Sequence, residues 1–315
     1  MNPPKSLISV VIPTHNRRNL VQRAIGSALS QQNVDVEVVV CDDGSTDGTA
    51  KAIEAMADPR VRVTAVEGPG GVSAARNHGI AQARGKWVAF LDDDDLWAPG
   101  KLAAQLEAVA LTGREWACAG TVVVDTDLRI LAGDKPPSAE LIADSVAYRN
   151  IVPGGASGVL VRKAVVAEVG GFDDGLRHLP DWDLWTRLAI RGLPAVVEDP
   201  VVAYVLHSGN ASLDAHEIAA EFHTLDERYR PQRNGEHADR AYVYRWVGSS
   251  SLRAGRRLQA VRSYSQAVLG GDWGSIPRGL ASLVYPQSWL PRRRRRSNAW
   301  SAQAEQWLEP IRSAT

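Results

Sequence analysis

The sequence predicts an α/β fold: a mixed, mainly parallel sheet flanked by helices, with a helical extension at its C-terminal end. Two observations carry this. Short valine-rich runs alternate with segments of helical apolar spacing over the first hundred residues, the pattern of a parallel sheet covered on both faces. Two of those runs end in adjacent aspartates, Asp42-Asp43 and Asp92-Asp93-Asp94-Asp95. That puts both sets of carboxylates beyond the carboxyl ends of strands, where ligands gather in such sheets.

Residues 7–12 read as a first strand, stopped by Pro13. Over residues 19–31 the pairs Leu20/Val21, Ala24/Ile25 and Ala28/Leu29 recur at helical spacing. Residues 36–41 form a second strand and 46–56 a second helix, with Asp47 near its start. Residues 61–66 form a third strand. After the turn Gly68-Pro69-Gly70-Gly71, Ser73 is placed to cap a helix running to about Arg84. Residues 87–91 form a fourth strand. Further on, 101–111 and 181–191 read as helices and 116–124, 157–161 and 201–206 as strands. From about His216 the chain reads as helical and basic. The boundary is set near residue 212, giving a first domain over 1–212 and a helical, arginine-rich region over 213–315.

With 44% hydrophobic and 23% charged residues in 315, the composition is that of a globular protein of one large domain or two. The zero net charge hides an asymmetry. Residues 222–315 hold 16 Arg, no Lys and 7 acidic residues, leaving 20 basic and 29 acidic residues before them. The first part suits a metal–nucleotide site and the second an anionic surface. Cys41 and Cys118 sit in apolar runs and read as reduced core residues. No apolar run approaches the roughly 18 residues that cross a bilayer, and residues 7–12 are too short for a signal peptide. The expectation is a cytoplasmic protein.

Four adjacent carboxylates repel one another and need a counter-charge. At a strand end that is most simply a divalent metal carrying phosphate oxygens; the alternative is a solvated acidic turn.

Taken in order, SVVIPTHNR (9–17), VVVCDDGSTDGT (38–49), GVSAARNHGI (71–80), WVAFLDDDDLW (87–97), GGFDD (170–174), DWDLWTRL (181–188) and YVLHSGNAS (204–212) resemble a family 2 glycosyltransferase of the inverting, GT-A (Rossmann-like) fold. The resemblance implies transfer of a sugar from a nucleoside diphosphate sugar, UDP favoured, to an acceptor hydroxyl. Such an acceptor belongs to a lipid-linked glycan or polysaccharide precursor in cell-envelope or glycan biosynthesis. A divalent cofactor, Mn²⁺ or Mg²⁺, would act on the diphosphate leaving group. A carboxylate base would take the acceptor proton.

By the same resemblance Asp94, last of the D-x-D element, binds the metal. Asp92 and Asp93 face the ribose, the donor sugar or a metal-bound water, and Asp95 is a structural partner or helix cap. Asp42 accepts a hydrogen bond from the pyrimidine ring, and Pro13, Thr14 and His15 line the base pocket. His15 replaces a tyrosine common in relatives, and Asn16 fastens the loop. Arg76 stands near the nucleotide or forms a salt bridge to Asp42 or Asp43. Asp181 is the catalytic base or a helix cap, preceded by Pro180 where the family carries Glu. His207 is a metal ligand or a buried hydrogen-bonding residue. The acceptor pocket is expected from residues 154–157 and 176–182.

Residues 279–290 are apolar with Tyr285 and Trp289, and precede Arg292, Arg293, Arg294, Arg295 and Arg296. This pattern suits peripheral contact with an anionic membrane at its inner face; a solvated tail behind a packed helix is the alternative. No nucleic-acid module is visible. Two other readings of the whole chain remain: a nucleotidyltransferase, which would show a glycine-rich phosphate loop where this chain has Pro13-Thr14-His15-Asn16, and a sugar-nucleotide-binding or membrane-scaffold protein with a degenerate active site, favoured only by Pro180.

Overall fold

The computed structural model describes residues 7–66, 70–207, 215–253, 255–284 and 299–313. In chain order the first half runs β1 (Leu7–Thr14), α1 (Arg18–Leu29), β2 (Asp35–Asp42), α2 (Thr49–Glu54), β3 (Val61–Ala65), α3 (Gly71–Gln82), β4 (Trp87–Phe90), β5 (Leu96–Trp97), α4 (Lys101–Thr112) and β6 (Trp116–Val124). Then follow β7 (Ile130–Asp134), α5 (Ala139–Ser145), β8 (Val159–Arg162), α6 (Lys163–Glu168), α7 (Pro180–Arg191) and β9 (Ala195–Val205). The helices α8 (Ala215–Tyr229), α9 (Arg240–Arg253), α10 (Arg257–Leu269), α11 (Ile276–Val284), α12 (Ala299–Ala302) and α13 (Glu305–Ser313) complete the chain.

One sheet carries all the strands in the order β3-β2-β1-β4-β8-β6-β9-β5, with β7 added on β6. The β3-β2-β1-β4 half is parallel, and β8 then joins antiparallel to both β4 and β6. From β1 the chain steps outward to β3, then returns through α3 to β4 on the other side of β1. The reversal of strand order opens a crevice at the carboxyl ends of β1 and β4. Register puts Thr14 beside Asp42 there. The core beneath is aliphatic: Val10, Ile12, Val38, Val40, Ala89 and Leu91 are all fully buried. Both cysteines are free and buried.

Several boundaries differ from the sequence reading for identifiable reasons. Strand β1 continues through Pro13, because its pairing with β4 stops at Val11 and a missing N–H is tolerated on the open side. Ser73 does not cap α3, which already begins at Gly71; its hydroxyl donates to the carbonyl of Leu176. The N–H groups of Gly70 and Gly71 are instead taken by the two oxygens of Asp43, both at 2.9 Å. Strand β9 starts at Ala195, six residues early, and absorbs Pro200 through register shifts against Gly120.

The chain gathers into two compact units, residues 1–143, 151–206 and 297–315 in one, residues 144–150 and 207–296 in the other. Apart from the short excursion at 144–150, the chain leaves the first unit after residue 206, against 212 from the sequence, and the helical region is not one block. Its last helices belong to the first unit: Trp300 and Trp307 donate their indole N–H to the carbonyls of Glu198 and Pro200, and Leu308 is buried among Val122, Val124, Ala203 and Val205. In the second unit the buried Arg233 holds α8 through the side chain and carbonyl of Asp226. Among the described residues no helix is long and apolar enough to cross a membrane.

Helix α3 lies hard against the sheet at Gly79, where an added Cβ would stand 2.3 Å from Val11 Cγ1 and 2.8 Å from Cys41 Sγ. Gly79→Ala is expected to destabilise the protein by about 1–3 kcal/mol in chemical denaturation, since β1 and β2 must shift. Gly26→Ala, on the exposed side of α1 with nothing within 4 Å, should stabilise by roughly 0.5–1 kcal/mol. Equal effects at the two positions would contradict the packing described.

Candidate active site

At the carboxyl edge of β1 the chain turns through Asn16, which takes a left-handed conformation at φ 52°. Its side-chain oxygen accepts the N–H groups of Thr46, at 2.7 Å, and Asp47, at 3.3 Å, while its own N–H donates to Ser45 Oγ. The loop after β1 is thereby tied to the loop after β2. His15 is exposed; Asn16 donates to its Nε2, so its Nδ1 carries the proton and donates to the carbonyl of Asp43 at 2.8 Å. Asp42 is nearly buried and accepts the N–H of Ser45 at 2.9 Å. Pro13 and Thr14 are buried, and the Thr14 hydroxyl donates to Asp93 Oδ2 at 2.7 Å.

The four aspartates after β4 split into distinct environments. Asp95 is wholly buried, accepting the Ser157 hydroxyl at 2.6 Å and the Val205 N–H at 3.1 Å; burial, with Asp94 and Asp92 nearby, pushes its carboxyl well up. It is a structural partner. Ser157 Oγ also receives the Asp92 N–H at 3.0 Å, so this serine holds both ends of the acidic run and is itself fully buried. That corrects its sequence assignment to the acceptor pocket. Asp93 and Asp94 share Nη1 of Arg17, 2.8 Å from an oxygen of each. Burial, countered by Arg17 and reinforced by Asp94, pushes Asp93 up to about 6.

Arg76 reaches the same edge from inside α3, only 4% exposed. Its Nη2 lies 2.5 Å from Asp92 Oδ1 and its Nη1 2.7 Å from Asp181 Oδ1, with the guanidinium over the Phe172 ring. The sequence alternative, a bridge to Asp42 or Asp43, is not what forms: Asp42 accepts the N–H of Ser45 in its own loop, and Asp43 those of Gly70 and Gly71 at the start of α3. Burial opposes the charge on Arg76, but Asp181 and Asp92 outweigh it and raise its pKa further. Asp181 is raised by burial, lowered by Arg76 and raised again by Asp92, with an upward net shift. Pro180 opens α7 at its first position, where no N–H is needed, and Asp181 follows without capping the helix. Asp183 is fully buried and paired with Arg187.

The fold therefore brings Thr14, Arg76, Asp92, Asp93, Asp94 and Asp181 into one linked cluster, with Asp42 and His15 on the adjoining loops. His207, half-buried, belongs to the second unit. Arg17 had no role from the sequence, although a cation just past a strand that borders an acidic run was a visible signal. The counter-charges are guanidinium groups. The donor set nevertheless suits a divalent cation: hard carboxylate oxygens from Asp93 and Asp94 converge on one point, the Arg17 nitrogen.

Because Asp93 keeps its proton to a higher pH than its ordinary value of 3.8, it favours folding while protonated, and that contribution is lost as pH rises through about 6. Asp93→Asn is thus expected to be more stable than wild type at pH 8 without metal, by ~1–3 kcal/mol. The difference should vanish near pH 4 in urea titrations. A less stable variant at pH 8 would mean that the Arg17 pair outweighs the cost of burial.

A model of the glycosyl transferase family 2 matches residues 9–170. The chain is 34% identical over 228 residues to the succinoglycan biosynthesis protein ExoO of Rhizobium meliloti, covering 68% of this chain and 65% of that relative, a little under two thirds of its length. It is 27% identical over 208 residues to the UDP-Glc:α-D-GlcNAc-diphosphoundecaprenol β-1,3-glucosyltransferase WfaP of Escherichia coli, covering 65% and 80%. Among solved structures, the mannosyltransferase PcManGT of Pyrobaculum calidifontis, in complex with GDP-Man and Mn²⁺, superposes with a TM-score of 0.55 at 19% identity, covering 98% of this chain and 86% of that one. The shared fold is GT-A, and with half of its length matched by the family model the chain belongs to glycosyl transferase family 2.

Proposed function

We propose that the protein is an inverting, metal-dependent transferase that moves a sugar from a nucleoside diphosphate, UDP favoured, to a hydroxyl of a polysaccharide or lipid-linked glycan precursor. The observation that carries this reading is the Asp92–Arg76–Asp181 bridge, which sets a base candidate beside the acidic edge. WfaP, named for UDP-Glc and an undecaprenol-linked acceptor, supports the choice of donor and acceptor class, while the GDP-Man bound to PcManGT makes the nucleotide something to be measured.

In this reading Asp42 accepts the ring N–H of the base, and Pro13 and His15 shape its pocket, with Thr14 acting through Asp93. Asp92 and Asp93 face the ribose and sugar. A divalent ion on Asp94, with Asp93 beside it, would stabilise charge on the departing diphosphate. Asp181 takes the proton of the acceptor hydroxyl as that oxygen bonds to the anomeric carbon. The bond from that carbon to the diphosphate oxygen breaks with its electron pair on the diphosphate, and the configuration inverts. The raised carboxyl of Asp181 makes it a stronger base than an exposed aspartate.

Asp181→Asn should keep nucleotide affinity within about threefold and lower transfer by 10²-fold or more, while Asp94→Ala should lose metal-dependent nucleotide binding. The acid limb of kcat/KM should lie above the ordinary carboxylate range of roughly 4, because rate falls as Asp181 protonates. Normal turnover in Asp181→Asn would remove it as the base. His207→Ala in the same titration tests the further ligand role implied by its motif.

We also propose peripheral contact with anionic lipid through the second unit. Ile276, Leu280 and Leu283 form an exposed ridge along α11, continued by the exposed Trp273. The five arginines 292–296 follow in sequence and lie outside the described residues. Each arginine near an anionic leaflet contributes on the order of 1 kcal/mol. Co-sedimentation with phosphatidylglycerol vesicles should be lost on Leu280→Ser/Leu283→Ser and weakened at high salt; binding by neither route would remove this contact.

A further inference from the structure

Arg17 stands where the proposed cation would stand. Its Nη1 lies 2.8 Å from Asp93 Oδ1 and 2.8 Å from Asp94 Oδ2, so one nitrogen bridges two carboxylates as a divalent ion does at about 2.0–2.6 Å. A metal bound by the same two oxygens would overlap that nitrogen and face its like charge, so the two occupants exclude each other. The ends of the side chain are differently constrained. The backbone of Arg17 opens α1, where its carbonyl accepts the N–H of Leu20 and Val21, both at 3.0 Å, and the neighbouring Asn16 is clamped to the loop after β2. The side chain is about a quarter exposed.

We propose that Arg17 is a built-in competitor for the divalent cation. It holds Asp93 and Asp94 together in the metal-free protein and yields its place when metal and diphosphate arrive together. Burial opposes the Arg17 charge while Asp93 and Asp94 hold it, so a guanidinium displaced by metal alone gives up these two carboxylate partners. Displacement by a metal–nucleotide complex supplies a new one, since the diphosphate brings negative oxygens that match a guanidinium fork. Arg17 thereby couples the two ligands: the site discriminates against free metal and accepts the metal-loaded donor. This rests on Asp94 as a metal ligand.

The test is Mn²⁺ binding followed by the electron paramagnetic resonance of the free ion, with and without UDP. Wild type is expected to bind Mn²⁺ alone weakly and Mn²⁺ with UDP tightly. Arg17→Ala should bind Mn²⁺ alone about tenfold more tightly than wild type, with the metal–nucleotide coupling reduced by a similar factor. Arg17→Gln, which removes the charge and keeps a donor, should shift the same way. Arg17→Lys should stay near wild type. Circular dichroism shows whether each variant is folded. Folded Ala and Gln variants that bind Mn²⁺ alone no better than wild type would overturn the competitor role while leaving the metal site intact. Wild type that binds no Mn²⁺ even with UDP would overturn both that role and the metal reading beneath it.

Discussion

The guanidinium of Arg76 sits between Asp92 and Asp181 with almost none of its surface open to water, and the edge of the sheet is organised around that bridge. It joins residues 16 and 105 positions away in the chain. Without a cation there, two carboxylates would face each other across a poorly solvated gap. Removing one partner of such a buried cluster costs roughly 3–5 kcal/mol, because the remaining charges stay desolvated. The arginine can be so placed because Gly79, one turn further along α3, lets that helix press against β1 and β2. A packing requirement in the core thus fixes where a charged group emerges at the edge.

The same logic extends along the acidic run. Asp95 is consumed by structure, its carboxyl facing Ser157 and the backbone of β9, and this pins the run so that Asp92, Asp93 and Asp94 project toward the crevice. Arg17 then shares its charge between Asp93 and Asp94, and Thr14 ties Asp93 back to β1. Asp92 pairs with Arg76, Asp93 with Thr14 and Arg17, Asp94 with the same Arg17, and Asp95 with Ser157, so identical side chains in sequence take on different surroundings. A strong base needs burial and a nearby like charge, and Asp181 has both, held short of full neutralisation by Arg76.

Much of this was legible in the sequence. Valine runs ending in Asp42 and in Asp92 placed the carboxyl edge and the crevice, and the motif around residues 181–188 placed the base candidate. What could not be read were contacts between distant segments. Arg76 was expected near the nucleotide or on Asp42 or Asp43, because nothing local records that Asp43 is already used by the N-terminus of α3. Ser157 was placed with the pocket-lining stretch 154–157, and only the fold shows it under the acidic run. The return of residues 299–313 to the first unit was equally hidden, since an amphipathic helix does not say which sheet it covers.

The claim that this edge is a metal-dependent nucleotide site is tested most directly by calorimetric titration of UDP into the wild-type protein with and without Mn²⁺, with GDP and dTDP alongside. Binding that requires the metal and favours one nucleotide, UDP above the others, is the expected result. A folded protein that binds no nucleotide under either condition would contradict the account and leave the arginine-bridged aspartates as a structural feature of the sheet edge.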